Sequence, residues 1–545
     1  MTSHKTVAKA AGLMMVAILA SRLLGLIRDM LIARQFGQGG LVSAYTVSFN
    51  LPDLLYFFLS SGALSGAFIP VFTEHLHTGR QRDAWQIFSI IACLMGLVLG
   101  GAIVLSELFT VPLVRTLAAP GYAHKPELFN AIVHLTRIIL PCQMFFFMGG
   151  LMMGTLESRQ KFSARAAGPV VYNLGIIFGV VVLSRWFSIA GLAWGALIGS
   201  FAGNVGYTFY CLKRAGFEFH PSLNLRHPGV KRVGALALPV ILGLSLPQID
   251  VIVNRWFATY ISDAAPAALN FANRLMQVPL GVFAQAAGTA ILPTLSAYAA
   301  RNAIADLRNG VSFGLRAILA INIPASMFMV VMADPIVRTV YMSGKFTTSD
   351  VGATSIALIC YSVGIFAWAG QAIVARGFFA MQDTWTPILL GSAATAIFVP
   401  MNLLLMHVMG HGGLALATSI AATIHLIALT VFLRKRLHGL EGRQVLASLT
   451  KVCFATVVMA AALYWLRVQA ADLIPVETRK GAALLVLAGM VLASVVYVGL
   501  VRLLRVEEVE FVWSMIRKKL TGKPDSDDAP PAVDAVPPSA DQNLP

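Results

Sequence analysis

The chain has 545 residues, of which 57% are hydrophobic and 12% charged, with a mean hydropathy of +0.75. A soluble domain carries about 25% charged residues, so this composition excludes a water-soluble globular protein and indicates an integral membrane protein. The net charge of +16 is read first through where Lys and Arg sit along the membrane, before any nucleic acid is invoked.

A membrane-crossing helix needs about 20 apolar residues. Spans are expected near 11–34, 42–72, 87–112, 130–154, 164–184, 189–212, 233–259, 266–298, 308–333, 350–376, 386–407, 412–433, 447–466 and 481–501, about fourteen in all. The first has no cleavage-site pattern and contains the charged stretch "SRLLGLIRDM" at 21–30, so it reads as a retained helix rather than a signal peptide. The second and eighth are the longest. They contain Pro52, Gly62 and Gly66, and Pro279, Gly281 and Gly288, and are expected to bend or protrude. Beyond the last span, residues 502–520 mix aromatic and basic side chains and read as an interfacial helix. Residues 521–545, rich in Pro and Asp, read as a disordered tail. The five cysteines lack metal spacing and read as small core residues.

About 25 Lys and Arg fall on the face that holds the N-terminus, and about nine on the other. The positive-inside rule then puts both termini in the cytoplasm. This bias accounts for the basic charge, so no nucleic-acid partner is expected.

The sequence also repeats. Asn50 and Pro70 recur as Asn273 and Pro293 at an offset of 223, and Ala44, Ala67 and Gly154 recur as Ala267, Ala290 and Gly377. An offset of six spans gives parallel repeats, the plan of two lobes around a central cleft. The expected fold is an all-α polytopic membrane protein. It would have an N-lobe (1–215), a C-lobe (232–436), two appended helices (445–503), and an interfacial helix with a disordered cytoplasmic tail (504–545).

Charge within the spans marks the candidate site, because a charged residue at mid-membrane costs about 2.5–3.5 kcal/mol. Span 1 holds Arg22, Arg28 and Asp29, span 7 Asp250 and Arg255, and span 8 Arg274. Arg22, Gly25 and Asp29 share one helical stripe. The bland alternatives are arginines snorkelling to the interface and carboxylates that merely orient them. Neutral cleft candidates are Asn50, Asn254, Asn270, Asn273, Gln248, Gln277 and Gln285, with Asp53 the main further acid. An arginine excess favours an anion, and the planar guanidinium fork suits phosphate. There is no GxxxxGK[ST] loop, HExxH or Cys/His cluster, so neither an enzyme nor a cofactor is expected, and a coupling ion is left unnamed.

At these residues, "SRLLGLIRDMLIARQFG", "AYTVSFNLPDLL", "GALSGAFIPVF", "FANRLMQVPLGVFAQAAGTAILPTLS", "SGKFTTSD" and "GFFAMQDTWTP" together resemble the lipid II flippase family (MurJ/MviN). That family lies within the multidrug/oligosaccharidyl-lipid/polysaccharide exporter superfamily. The resemblance covers roughly residues 10–435. It implies fourteen helices and movement of lipid-linked peptidoglycan precursor from the inner to the outer leaflet of the bacterial inner membrane. It also implies a cationic cavity for the diphosphate and sugar headgroup, a groove at the last two helices for the polyprenyl tail, and cell-wall synthesis proteins as neighbours. Arg22, Arg28 and Asp29 match the family's first-helix motif, and Arg274 its span-8 arginine. The chain departs where the family usually has an aspartate (here Ser43), a basic pair (Tyr56 and Phe57), a glutamate (Ser61), and acids in span 8 (Asn273 and Gln277). These departures leave open a paralogue that exports another polyprenyl-linked glycan, or a non-transporting envelope-assembly scaffold. A multidrug exporter would require mid-membrane carboxylates for cations, against the arginine excess seen here.

Overall fold

The computed structural model describes residues 2–57, 63–161, 163–245, 249–281 and 285–508. Among the described residues the protein is helical throughout, with no strand. Ser61, Gln248 and nearly all of the expected interfacial helix and tail lie outside the described residues, and the Gln285 side chain is not described.

Helix α1 (Thr2–Phe36) ends at Gly37, whose φ of 71° is left-handed and stops a helix. The second expected span is divided into α2 (Gly40–Val47), α3 (Asn50–Leu55) and α4 (Ala63–His77). Pro52, which lacks an amide donor, falls in the first turn of α3, where that donor is not needed. There follow α5 (Gln81–Leu108), α6 (Thr110–Leu113), α7 (Pro126–Ile139), α8 (Cys142–Ser158), α9 (Ser163–Phe178), α10 (Ser184–Phe187), α11 (Ala190–Ser200) and α12 (Thr208–Lys213). Widened π-turns at 179–183 and 201–207 link α9 to α10 and α11 to α12.

The second half opens with α13 (Pro228–Ser245) and α14 (Ile249–Ile261), which divide the seventh expected span. The eighth is divided into α15 (Ala265–Pro279) and α16 (Gln285–Ala300). Then come α17 (Ile304–Val331), α18 (Ala333–Tyr341), α19 (Thr348–Ser362), α20 (Ile365–Ala380), α21 (Trp385–Met409), α22 (His411–Arg436), α23 (Gly442–Leu473) and α24 (Arg479–Leu503). Thr347 and Asp350 form a reciprocal capping box at the start of α19. Among the described residues, nine helical segments are long and apolar enough to cross a membrane.

The internal repeat is visible in the helix boundaries. Gln81 and Ile304 each open a helix of 28 residues. Cys142 opens α8 and Ile365 opens α20 at the same spacing. The break between α3 and α4 falls where the break between α15 and α16 falls in the second half.

The described residues form three large apolar cores and a small one of Phe398, Ala417 and Ala421. One packs Phe68, Phe72, Trp85 and Phe88 of the first half, and the connecting segment docks on it through Phe217, whose ring lies 5.4 Å from Trp85. Val230, Val233 and Ala237 of α13 bury in this same core. So the first part of span 7 packs on α4 of the first half. A second core holds Leu307, Val311, Phe378 and Leu433. The third joins the halves through Tyr45, Tyr122, Phe271 and Tyr341.

The halves also meet at the face opposite the N-terminus. The Tyr122 hydroxyl donates to the Ser262 and Asp263 carbonyls at 2.9 and 3.2 Å, and Lys125 pairs with Asp263. The Gly121 amide donates to Thr259 Oγ1 at 3.2 Å. The Lys345 amide donates to the Arg34 carbonyl at 2.9 Å, and Thr354 Oγ1 to Gln38 Oε1 at 2.5 Å. Gly121 lies so close to the partner backbone that a Cβ there would sit 2.4 Å from the Thr259 carbonyl. Only glycine permits that approach.

Candidate functional site

Helix α1 carries two adjacent charges into the interior. Arg28 and Asp29 are 9% and 2% exposed. Arg28 Nε donates to Asp29 Oδ1 at 2.9 Å, and its Nη2 lies 2.8 Å from the same oxygen. Arg28 Nη1 donates to Asn173 Oδ1 of α9 at 3.0 Å. The Asn173 amide group in turn donates to the carbonyls of Ser21 and Pro169, which fixes the side chain with its oxygen towards the guanidinium. The other oxygen of Asp29 lies 3.4 Å from Arg274 Nε of α15. One carboxylate therefore stands between an arginine of each half.

A second bridge lies beside it. Arg255 Nη1 of α14 donates to Asp53 Oδ2 at 2.9 Å and to Asn50 Oδ1 at 3.4 Å. Asn50 is held by its own donation to the Ala118 carbonyl at 3.0 Å. Both bridges are partly or wholly desolvated, the setting in which a guanidinium–carboxylate pair has a strong orienting effect.

Two cavities adjoin these bridges. The larger, about 550 Å³, has Arg22, Arg255 and Arg274 in its walls, with Asn270, Asn273 and Gln277 beside them and Asp250 its one acid. The smaller, about 220 Å³, is lined by Arg28, Asp29, Asp53, Arg255 and Arg274 among the rings of Tyr45, Phe49 and Tyr172. Arg255, Asn270 and Arg274 belong to both, so the two form one cleft between the halves.

The helical stripe expected for α1 is divided in space. Arg22 faces the larger cavity, and its guanidinium lies against Gly281, where a Cβ would fall 1.0 Å from Nη1. Arg22 makes no ion pair with a described residue. Arg28 and Asp29 face the smaller cavity. Gly25 lines neither; a Cβ there would meet Asn173 at an ordinary 3.8 Å. Asn50 also lines neither and acts through Arg255. Gln277 donates to Asn273 at 2.6 Å, a neutral pair within α15. Asp250 lines the large cavity and an adjoining one of about 180 Å³ with Thr395 and His425, and its Oδ1 has no hydrogen-bond partner among the described residues. Asn254 donates to Thr418 at 2.8 Å and accepts from Asn402 at 3.2 Å.

Sequence reasoning missed Asn173, Tyr45 and Tyr172. Asn173 had a readable signal, as an isolated amide in an apolar span; the tyrosines had none. The family departures take on physical form. Ser43 Oγ accepts the Ala267 amide in the first turn of α15 at 3.2 Å, so a neutral hydroxyl ties the halves there. Tyr56 packs edge-on against Phe146 at 6.1 Å, an aromatic contact. Arg255 supplies cationic lining to both cavities.

The family profile "Lipid II flippase MurJ" matches residues 32–478. A relative from Bdellovibrio bacteriovorus, named a probable lipid II flippase MurJ, is 28% identical over 510 residues, 93% of this chain and 96% of its own. A solved structure described as lipid II flippase MurJ in an inward closed conformation superposes with a TM-score of 0.76 at 23% identity, over 94% of this chain and all of the other. An inward-facing multidrug resistance MATE transporter of the MOP superfamily superposes at 0.63 and 14% identity, over 77% of this chain and 96% of the other. These two likenesses concern the fold.

Proposed function

The chain belongs to the lipid II flippase MurJ family, and on that premise we propose how its cleft carries the cargo. The protein flips lipid II, a lipid-linked precursor of peptidoglycan, and is a multi-pass membrane transporter. The cleft between the halves receives the diphosphate and sugar headgroup, and the two halves rock to open it to one leaflet and then the other. The polyprenyl chain stays in lipid, because each CH₂ kept out of water is favoured by about 0.8 kcal/mol.

One observation carries this reading. Arginines from α1, α14 and α15, belonging to both halves, converge on one cleft, and the nearest carboxylates orient them without filling it. Arg22, Arg28, Arg255 and Arg274 bind the diphosphate. Asp29, Asn50 and Asp53 position those arginines, and Asn273, Gln277 and Asp250 line the sugar side. The Lys and Arg bias puts both termini in the cytoplasm, so the joined face is periplasmic and the cleft loads from the inner leaflet. Substrate descends to the outer leaflet only after that joined face parts. The energy source is an ion gradient, the membrane potential or the cargo gradient, and cell-wall synthesis proteins are its neighbours in the membrane.

The test is complementation in bacteria depleted of their own lipid II flippase. The wild-type chain should restore growth, and an Arg28→Ala, Arg274→Ala chain of equal membrane abundance should not. Growth supported by the double variant would overturn the assigned arginine roles.

A further inference from the structure

A second basic cavity, which shares no residue with the cleft, lies against α17 at Arg316. It has a volume of about 260 Å³ and is bounded by α17, α23 and the turn after α24. Arg505 makes that turn with a left-handed φ of 50°, and the chain folds back so that Glu508 enters the protein, 2% exposed. Glu508 lies 2.6 Å from Arg316 Nη1 and accepts from Ser448 at 3.2 Å. Arg316 is itself 9% exposed, and its buried Nε has no hydrogen-bond partner among the described residues. Lys451 and Arg505 stand in the same wall, Lys451 donating only to the Arg505 carbonyl at 3.4 Å.

This chemistry is unfinished. Glu508 is engaged by Arg316 and Ser448, and Glu507 is the other acid in the wall among the described residues. Three cations face two carboxylates, with guanidinium and ammonium donors to spare. The first two turns of α23 contribute Gln444, Ala447 and Ser448, and the N-terminal end of a helix favours an anion. Helices α17 and α23 have 28 and 32 residues, so about 42 and 48 Å at 1.5 Å per residue, against a hydrocarbon core of about 30 Å. The first turns of α23 therefore reach the headgroup layer, on the face the charge bias assigns to the cytoplasm, while Arg316, about three turns into α17, bounds the cavity from the protein side. Beside the cavity, Leu446 and Leu503 are exposed on α23 and α24, as acyl-facing residues would be.

We propose that this cavity binds the phosphate of an anionic phospholipid of the inner leaflet, with Lys451 and Arg505 as its donors and the buried Arg316 guanidinium adding positive charge behind them. Glu508 is the positioning residue that keeps Arg316 in place. Basic pockets between helices on the cytoplasmic side are suited to such headgroups, and the negative inner leaflet concentrates them there. The site takes no part in the cargo cleft.

The experiment compares thermal unfolding of the full chain in phosphatidylcholine nanodiscs with and without phosphatidylglycerol. Parallel samples in phosphatidylcholine alone receive glycerol 3-phosphate or inorganic phosphate. Phosphatidylglycerol should raise the unfolding temperature by about 2 °C or more. A Lys451→Ala, Arg505→Ala chain should lose that rise, and an Arg80→Ala, Arg82→Ala control on the same face should keep it. Protection by soluble phosphate that is lost in the same double variant would keep the phosphate site but overturn the lipid as its source. No rise with phosphatidylglycerol, or an equal loss in the control, would overturn the proposal. Because the readout is lipid protection, its failure is distinct from failure of lipid II transport.

Discussion

Replacing Asp29 by asparagine keeps the shape of the side chain and removes the charge between two arginines. Asp29 lies 2.8 Å from Arg28 Nη2 and 3.4 Å from Arg274 Nε. At an effective dielectric of about 20, such pairs attract by about 6 and about 5 kcal/mol before desolvation is counted. Most of this offsets the cost of burying the ions. Removing one partner of a buried pair nevertheless costs about 3–5 kcal/mol, because the remaining charge is left unpaired. Arg28 is the more buried arginine, so Asp29→Asn is expected to lose about 3 kcal/mol and to lower the unfolding temperature in detergent by about 3 °C. Arg274 is half-exposed in its side chain and can turn to water. Adding Arg274→Gln to Asp29→Asn should therefore recover about 1 kcal/mol by relieving the repulsion between the guanidiniums. Both variants should fail to complement a flippase-depleted strain. If Asp29→Asn melts and complements like the parent, Asp29 is not the bridge between the halves, and the positioning role assigned to it is wrong.

Three further outcomes follow from the geometry. Gly121→Ala places a methyl 2.4 Å from the Thr259 carbonyl; it should hold the joined face apart, so that a cysteine introduced at Asn273 reacts with an impermeant thiol reagent from the periplasm, whereas the parent background should stay protected. Tyr122→Phe removes the donor to the Ser262 and Asp263 carbonyls and should weaken the same closure by about 1 kcal/mol, roughly fivefold in population, read by the same labelling. At the mouth of α21, partial burial of Asp383 opposes its ionisation, but the Thr386 amide and hydroxyl and nearby Arg436 outweigh it and hold the carboxyl below its ordinary value. A depressed carboxylate stabilises above its unfolded pKa, and that stability disappears as pH falls through the folded value. Asp383→Ala should therefore cost about 1 kcal/mol at pH 5–7, with the gap from the parent closing below about pH 4; a gap independent of pH would assign the loss to packing instead.

Much of the fold was legible because lipid imposes simple rules on a chain. Backbone groups in hydrocarbon must be satisfied within a helix, so apolar length alone located most segments. The offset of 223 between Asn50 and Asn273 reappears as matched helix starts in the two halves. Charge inside an apolar run picked out Arg22, Arg28, Arg255 and Arg274, which all line the cleft. What stayed hidden depended on partners distant in sequence. Nothing near Asn173 says that its oxygen will face Arg28, 145 residues away. A helical stripe assumes one neighbour for one face, yet α1 gives Arg22 to one cavity and Arg28 with Asp29 to another. Packing of α13 on α4 was equally hidden, since its Val230, Val233 and Ala237 would suit the core of either half.

The placement of the two bridges bears on how cargo and conformation are coupled. Asp29 belongs to the first half and pairs with Arg274 of the second, and Asp53 of the first half pairs with Arg255 of the second. Closure of the joined face thus brings four charges together in a setting with little water. A ligand shifts such an equilibrium only by as much as it binds one state better than the other. A diphosphate that reaches Arg255 and Arg274 together with Arg22 or Arg28 has contacts in both halves, so it favours the state in which the halves converge on it. It also competes with Asp29 and Asp53 for the same guanidiniums, and so weakens the very bridges that hold the empty cleft. The carboxylates keep the arginines in place without cargo, yet their hold is partial, since Arg274 meets Asp29 only at 3.4 Å. A tighter native bridge would make the empty closed state too stable for cargo to displace, and an absent one would leave the arginines of the cleft repelling each other.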